Sequence, residues 1–304
     1  MTTRRIPADH GLTFRMFLTG LFLVLLYVAV GAVLWAFHVR VAFLVVILVV
    51  VAFAQYWFSD KIALWGMGGR EVTAEEEPEL HGMIDRLCAL ADMKKPRVAV
   101  AEVDMPNAFA TGRSPNQAVV CATRGIMRRL SGPELEAVLA HELSHVAHRD
   151  VAVMTIASFL GMLAGLVTRI MFYSEIFSGF GGDDRENGGA NLELVVMLVS
   201  IVVYAVSFLL TMALSRYREL AADRSGAILT GRPSVLASAL VKVTGEMSRI
   251  PTRDLRASEH FNAFFFTPAL SNGVSISSLF STHPTLEKRL DQLARLEVEL
   301  NGAV

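Results

Sequence analysis

Residues 131–150 read SGPELEAVLAHELSHVAHRD, and the run His141-Glu142-Leu143-Ser144-His145 within it is H-E-x-x-H. The flanks decide how this stretch folds. Ser131 with Glu134 three residues later is a capping-box pattern, and Pro133 occupies the first turn. The spacing therefore predicts a helix from about Gly132 through His145. On a helix, residues four apart share a face, so two imidazoles can converge on one zinc ion. Glu142, one position over, lies beside the metal rather than under it. There it can take a proton from the metal-bound water, whose pKa zinc lowers to about 7. His141 and His145 are accordingly the expected metal ligands and Glu142 the expected catalytic residue.

A catalytic zinc takes a third protein ligand and keeps one position open. The metzincin arrangement would need glycine at position 148 and histidine at 151, and this chain has His148 and Val151. His148 lies two turns beyond His141, about 10 Å along the axis, too far to share a metal with it. A carboxylate on a later helix is the other option. Glu219 and Asp223 are again four apart, in the segment 215–223. That spacing lets Glu219 bind zinc while Asp223 accepts the spare ring N–H of a ligating histidine. It equally allows a solvated helix on which Glu219 pairs with Arg216.

The surroundings of the motif are strongly apolar. Of 304 residues 53% are hydrophobic and only 19% charged, which points to membrane segments. The formal net charge of −1 supplies no basic field for a nucleic-acid partner. Cys88 and Cys121 have no local spacing for a zinc knuckle or a disulfide framework. Apolar runs occupy 17–37, 41–58, 151–167 and 194–214, each near the length that crosses a bilayer as a helix. The first is too long for a signal peptide and lacks a small-residue cleavage site; the third also fits a buried helix of the catalytic part.

The expected fold is a mainly α membrane protein, with about four transmembrane helices and a zincin-like catalytic domain containing a small β-sheet. Its segments are 1–58 (first hairpin), 59–150 (first catalytic part), 151–214 (second hairpin) and 215–304 (second catalytic part). Within 59–150, Leu80, Met83, Ile84, Leu87 and Leu90 recur at helical spacing, predicting a helix near 75–92. Residues 97–103 and 118–122 read as short strands, with Pro106, Asn107, Gly112, Pro115 and Asn116 punctuating the segment between them. Residues 174–193 read as a Gly-rich loop with Asp183, Asp184 and Glu186. Helical patterns follow at 215–230, 233–248 and 284–300. Residues 251–282 read as irregular, and 264–266, three phenylalanines, as core or as a membrane contact.

Four spans put both catalytic parts on one side of the membrane. Arg4, Arg5, Arg15, Lys61, Arg149, Arg216 and Arg218 flank the spans on that side, against Arg40 and Arg185 on the other. The positive-inside bias makes the catalytic side cytosolic.

Taken together, these features resemble the HtpX proteases, bacterial membrane zinc metallopeptidases related to the CAAX prenyl proteases. The resemblance rests on HELSH at 141–145 with Asp150, Arg-Glu-Leu-Ala-Ala-Asp at 218–223, Asn107 to Gly112, and His283-Pro284 with Arg289, and it covers nearly the whole chain. It implies one Zn2+ per chain held by His141, His145 and Glu219, with Glu142 as general base. It implies a multi-pass protein of the bacterial cytoplasmic membrane that cleaves membrane proteins or unfolded polypeptides in quality control and stress response. Asn107, Ala108, Phe109 and Ala110 resemble the family's substrate-binding edge, where a peptide can add as a strand. His283 and Arg289 resemble its late His-Pro motif and are candidates for stabilising the oxyanion, with Asp223 as an outer partner of the ligands. His283 equally suits a helix start before Pro284. Three rivals stand beside this reading: an intramembrane protease, disfavoured by Glu134, Glu136, His148 and Arg149 around the motif; a CAAX-type prenyl endopeptidase; and a non-catalytic membrane scaffold. The oligomeric state is not legible.

Overall fold

The computed structural model of the chain describes residues 10–36, 42–178, 187–247 and 283–302. Arg4, Arg5, the break at 38–40, Asp183, Asp184, Arg185, Glu186 and the phenylalanines 264–266 lie outside the described residues. Two apolar helices lead: α1 (His10–Ala36) and α2 (Ala42–Trp57). A short helix α3 (Ser59–Met67) and strand β1 (Gly69–Glu71) follow, then α4 (Pro78–Ala91), β2 (Arg97–Ala101), β3 (Ala108–Thr111), β4 (Val119–Thr123) and α5 (Arg124–Arg129). The motif helix is α6 (Gly132–Ala147). α7 (Asp150–Ser178) and α8 (Asn187–Thr230) are long, and α9 (Pro233–Met247) and α10 (Leu286–Gly302) complete the described chain.

The four strands form one sheet in the order β1-β2-β4-β3. β2 and β4 are parallel and central; β1 and β3 pair antiparallel at the two edges. The central strands read RVAVA and VVCAT and are buried on both faces, as parallel strands with near-continuous apolar runs generally are. β3 is the element that punctuation in the sequence concealed. Four residues between Pro106 and Gly112 gain their strand geometry by pairing with β4, from Ala108 against Ala122 to Thr111 against Val119. Its entry is pinned where the Thr123 N–H donates to the Asn107 carbonyl at 2.9 Å and the Asn107 N–H donates to Thr123 Oγ1 at 2.9 Å.

α6 begins where its cap predicts. The Ser131 N–H and hydroxyl both donate to Glu134 Oε2, at 2.9 and 2.7 Å. The same carboxylate takes bonds from Ser238 and Lys242 of α9, so the helix start is tied to a second helix. One face of α6 is core: Leu139 and Leu143 are buried with Ile84 and Leu87 of α4 and Leu236 and Leu240 of α9. Each such burial is worth roughly 1.5–3 kcal/mol, enough to fix the rotation of a helix about its axis. The opposite face carries the histidines. Of the stripe expected on α4, Leu80, Ile84 and Leu87 are buried, whereas Leu90 is half exposed.

α8 corrects a boundary in the sequence reading. The apolar run 194–214 and the helix expected at 215–230 are one uninterrupted helix, because neither Gly nor Pro occurs between Ala190 and Gly226. It ends at Gly231, whose φ of 69° permits the left-handed cap, and Pro233 opens α9. Of the loop expected at 174–193, residues 174–178 belong to α7 and 187–193 to α8, and 179–186 lie outside the described residues. Between α6 and α7 the chain turns at Arg149, which has a φ of 55°. Among the described residues, Met197–Thr230 is the one helix long and apolar enough by itself to cross a bilayer; α6 with the first half of α7, bent by 58°, qualifies only as a pair. The expected four spans are thus supported for one helix; α1 and α7 are apolar helices that pack with it, and α2 is an apolar helix that packs against α7.

Candidate active site

α6 and α8 cross at Gly226. A Cβ there would lie 2.8 Å from the His141 backbone nitrogen, so only glycine lets the two helix backbones approach this closely. The crossing brings Glu219, two turns earlier on α8, onto the histidine face of α6. His141 Nε2 and His145 Nε2 lie 3.1 Å apart. Glu219 Oε1 is 3.4 Å from His145 Nε2, and its Oε2 is 3.8 Å from His141 Nε2. His141, Glu142 and Glu219 are buried and His145 is half buried.

This triangle fits a tetrahedral metal. Zinc bonds of about 2.0–2.1 Å to nitrogen and carboxylate oxygen give ligand–ligand edges of roughly 3.4 Å. Two neutral imidazole nitrogens facing each other and one buried carboxylate form a donor set that a cation satisfies. His141, His145 and Glu219 are the ligand group expected from the sequence, with the candidate ligand atoms all within 4.8 Å of one another. Glu219 is buried and directed at the imidazoles, not set in a solvated pair. His148 caps the end of α6, exposed and outside the group.

Each histidine is held from behind by an aspartate, and each aspartate by an arginine. His141 Nδ1 is 2.9 Å from Asp223 Oδ1, and Asp223 accepts two bonds from Arg289, at 2.7 and 2.6 Å. His145 Nδ1 is 2.5 Å from Asp150 Oδ2, which also lies 2.6 Å from Arg218 Nη2. Such bonds fix the ring orientation and the tautomer that leaves Nε2 free to ligate. Asp223 thus stands where its spacing suggested. The roles of Asp150 and Arg218 were not foreseen. Asp150 reaches back to His145 only because Arg149 adopts a left-handed conformation, which an arginine does not announce in a sequence. Arg289 stands behind Asp223, with its Nη1 3.8 Å from Glu219.

The open side of the site is a cleft of about 440 Å3. Ala108, Phe109 and Ala110 of β3 form one wall, and His283 borders it beside Glu219, with Nδ1 3.0 Å from Glu219 Oε2. Asn107 is fully buried at the strand start. The Ala110 N–H points off the free edge of β3 and donates to Glu142 Oε2 at 3.0 Å. Burial pushes the Glu142 carboxyl up to about 8, and the Glu219 carboxylate adds to the rise while His145 opposes it. Glu142 is thus placed between the edge strand and the ligand triangle.

The chain is similar to known proteases. Residues 74–297 match the model of peptidase family M48. The protease HtpX homolog 1 of Streptomyces coelicolor is 58% identical over 299 residues, covering 98% of this chain and 97% of its own length. The protease HtpX homologs of Moorella thermoacetica and of Methanosarcina acetivorans (homolog 2) are 54% and 50% identical, each over 98% of this chain and 98–99% of their own. In fold, the chain is similar to S. mikatae Ste24p, with a TM-score of 0.57 at 19% identity, over 92% of this chain and 67% of that one.

Proposed function

The chain belongs to peptidase family M48 and is a metalloprotease of the HtpX group, and from that premise we propose that it is a zinc endopeptidase acting on membrane proteins or unfolded polypeptides in quality control and stress response. The observation that carries the reading is the convergence of His141, His145 and Glu219 on one point, with Glu142 between that point and the free edge of β3. When bound there, zinc supplies a Lewis acid and acidifies a coordinated water to a pKa of about 7.

The chain's own groups do the rest. A substrate strand pairs along β3, where the backbone of Ala108 and Ala110 faces the cleft. Glu142 takes the proton of the attacking water at Oε2 and delivers it to the departing amine, so that the peptide C–N bond is replaced by C–O without a covalent enzyme intermediate. His283, at the cleft wall, is the donor best situated for the oxyanion. Asp150 and Asp223 hold the imidazoles, and Arg218 and Arg289 hold the aspartates.

The apolar helices α1, α2, α7 and α8 anchor this machinery as a multi-pass protein of the bacterial cytoplasmic membrane. Large apolar side chains face outward on three of them, for example Phe17, Val50 and Val202, each about 60% exposed. Arg149 precedes α7, and Arg216 and Arg218 follow the apolar part of α8, all on the side of the active site, which favours the cytosolic face.

The reading is tested by Glu142→Gln, which should retain zinc and abolish cleavage of a membrane-protein reporter; unchanged cleavage would sink the mechanism. Glu219→Ala should lower the zinc content of the purified protein. Full occupancy with tetrahedral coordination would instead point to Asp223 or His283 as the third ligand.

A further inference from the structure

α3 follows directly on the second apolar helix and is apolar on two faces. Its inner face buries Ala63 and Met67 in the catalytic core, with Asp60 paired to Arg97. Phe58, Ile62 and Trp65 share the opposite face and are 45%, 45% and 85% exposed. Exposed Lys61 stands among them, its Nζ 5.8 Å from the centre of the Phe58 ring. A helix on a soluble domain carries polar residues on that face.

A second observation says what covers it. The described part of α2, Ala42–Trp57, gives about 24 Å of helix against a hydrocarbon core ~30 Å thick, so its end at Trp57 stands near the level where that core gives way to headgroups. The helical ladder carries over the junction, with the Phe58 N–H donating to Ala54 and the Ile62 N–H to Phe58, both at 2.9 Å. Ala42 to Trp65 is at most about 36 Å of helix, which matches the hydrocarbon core plus one interfacial layer. Tryptophan and lysine at that level are the side chains that favour the headgroup zone.

The same segment is fastened to the cleft. The Tyr56 hydroxyl donates to the Arg113 carbonyl at 2.6 Å, and the Arg113 guanidinium lies 4.0 Å over the Trp57 ring. Arg113 is two residues past β3, and Gln55, Ser59 and Ile62 line the catalytic cleft. We propose that the outer face of α3, formed by Phe58, Ile62 and Trp65 with Lys61, seats in the headgroup–acyl boundary of the bilayer and holds the open side of the cleft at that level. The inference rests on the membrane anchoring proposed above.

The test uses the full-length protein in phosphatidylcholine vesicles, with zinc content as the check on folding. Trp35→Phe with Trp57→Phe leaves Trp65 as the sole tryptophan. A second protein, with Trp65→Phe as well and Val202→Trp, reports on the outward apolar face of α8. Lipids brominated near the headgroup should quench Trp65 more than lipids brominated near the chain ends, and aqueous acrylamide should quench it several-fold less than free tryptophan. Acrylamide access to Trp65 without quenching by lipid, while the α8 reporter is quenched, overturns the inference alone. Lack of lipid quenching at both positions overturns the anchoring and the inference with it. Trp65 shielded from acrylamide but not quenched by lipid means that protein covers the face, which also overturns it. Trp65→Glu should raise KM for a membrane-protein reporter several-fold and leave cleavage of a soluble peptide unchanged; equal effects on both substrates overturn the link to the cleft.

Discussion

The two histidines of the H-E-x-x-H motif are supported by arms of the same chemistry and different construction. Behind His141, the arm runs through Asp223 to Arg289, and both partners are essentially sealed from solvent. Behind His145, it runs through Asp150 to Arg218, and Asp150 and Arg218 both border the cleft. The first arm joins α6, α8 and α10, with Asp223 and Arg289 66 positions apart. The second is made by the turn into α7 and by α8. One arm therefore locks the C-terminal helix to the metal site, and the other ties the site to the start of an apolar helix.

The largest expected effect separates the arms by what each removal leaves behind. Arg289→Met strands a buried aspartate without its two hydrogen bonds, and should destabilise the protein by about 3–5 kcal/mol in detergent unfolding measurements. Arg218→Met should cost clearly less, since Asp150 borders the cleft, whereas Asp223 is sealed from solvent. Equal losses would break the distinction. Gly226→Ala acts on the His141 side alone. The added methyl meets the His141 backbone, and overpacking on the order of 1–3 kcal/mol should appear together with weaker zinc binding in a chelator competition. Unaltered zinc affinity would show that the helix crossing tolerates more separation than its geometry suggests.

The smallest effect should fall on both arms together. Burial acts to raise the Glu134 carboxyl, but Lys242, the Ser131 N–H and the serine hydroxyls outweigh it and hold it at about 2, below its ordinary 4.5. A depressed carboxylate stabilises the fold above pH 4.5, and that contribution is lost as the pH falls from 4.5 towards 2. Glu134→Gln should therefore flatten this acid limb and cost about 1 kcal/mol at neutral pH, as loss of a helix cap typically does. Acid unfolding curves of the two proteins that coincide over this range would remove Glu134 as a support of α6.

What could be read from the sequence follows from how local each feature is. The cap at Ser131, the H-E-x-x-H face of α6 and the helical pair Glu219 and Asp223 are set by residues within a turn or two, and their spacing was visible. Which carboxylate reaches the histidines depends on a helix crossing at Gly226, so spacing left Glu219 undecided; the resemblance implies it, and the crossing brings it beside His141 and His145. β3 was hidden because its four residues owe their extension to β4. The role of Asp150 was hidden by the left-handed turn at Arg149, and the pairing of Arg289 with Asp223 by a separation of 66 positions. α3 lay unseen between an apolar run and a polar segment, because its outward face continues the composition of the helix before it.

The unbroken course of α8 has a mechanical consequence. Its 44 residues make a rod of about 66 Å, with apolar residues along one length and Glu219, Asp223 and Gly226 along the next. Such a rod pivots as a whole, so a tilt of ~3° about a point ~25 Å away would carry the Glu219 carboxylate through about 1.3 Å. Given the membrane anchoring and zinc binding proposed above, bilayer thickness would act on the ligand triangle through a lever arm, and zinc retention across vesicles of increasing acyl-chain length would read out its stiffness.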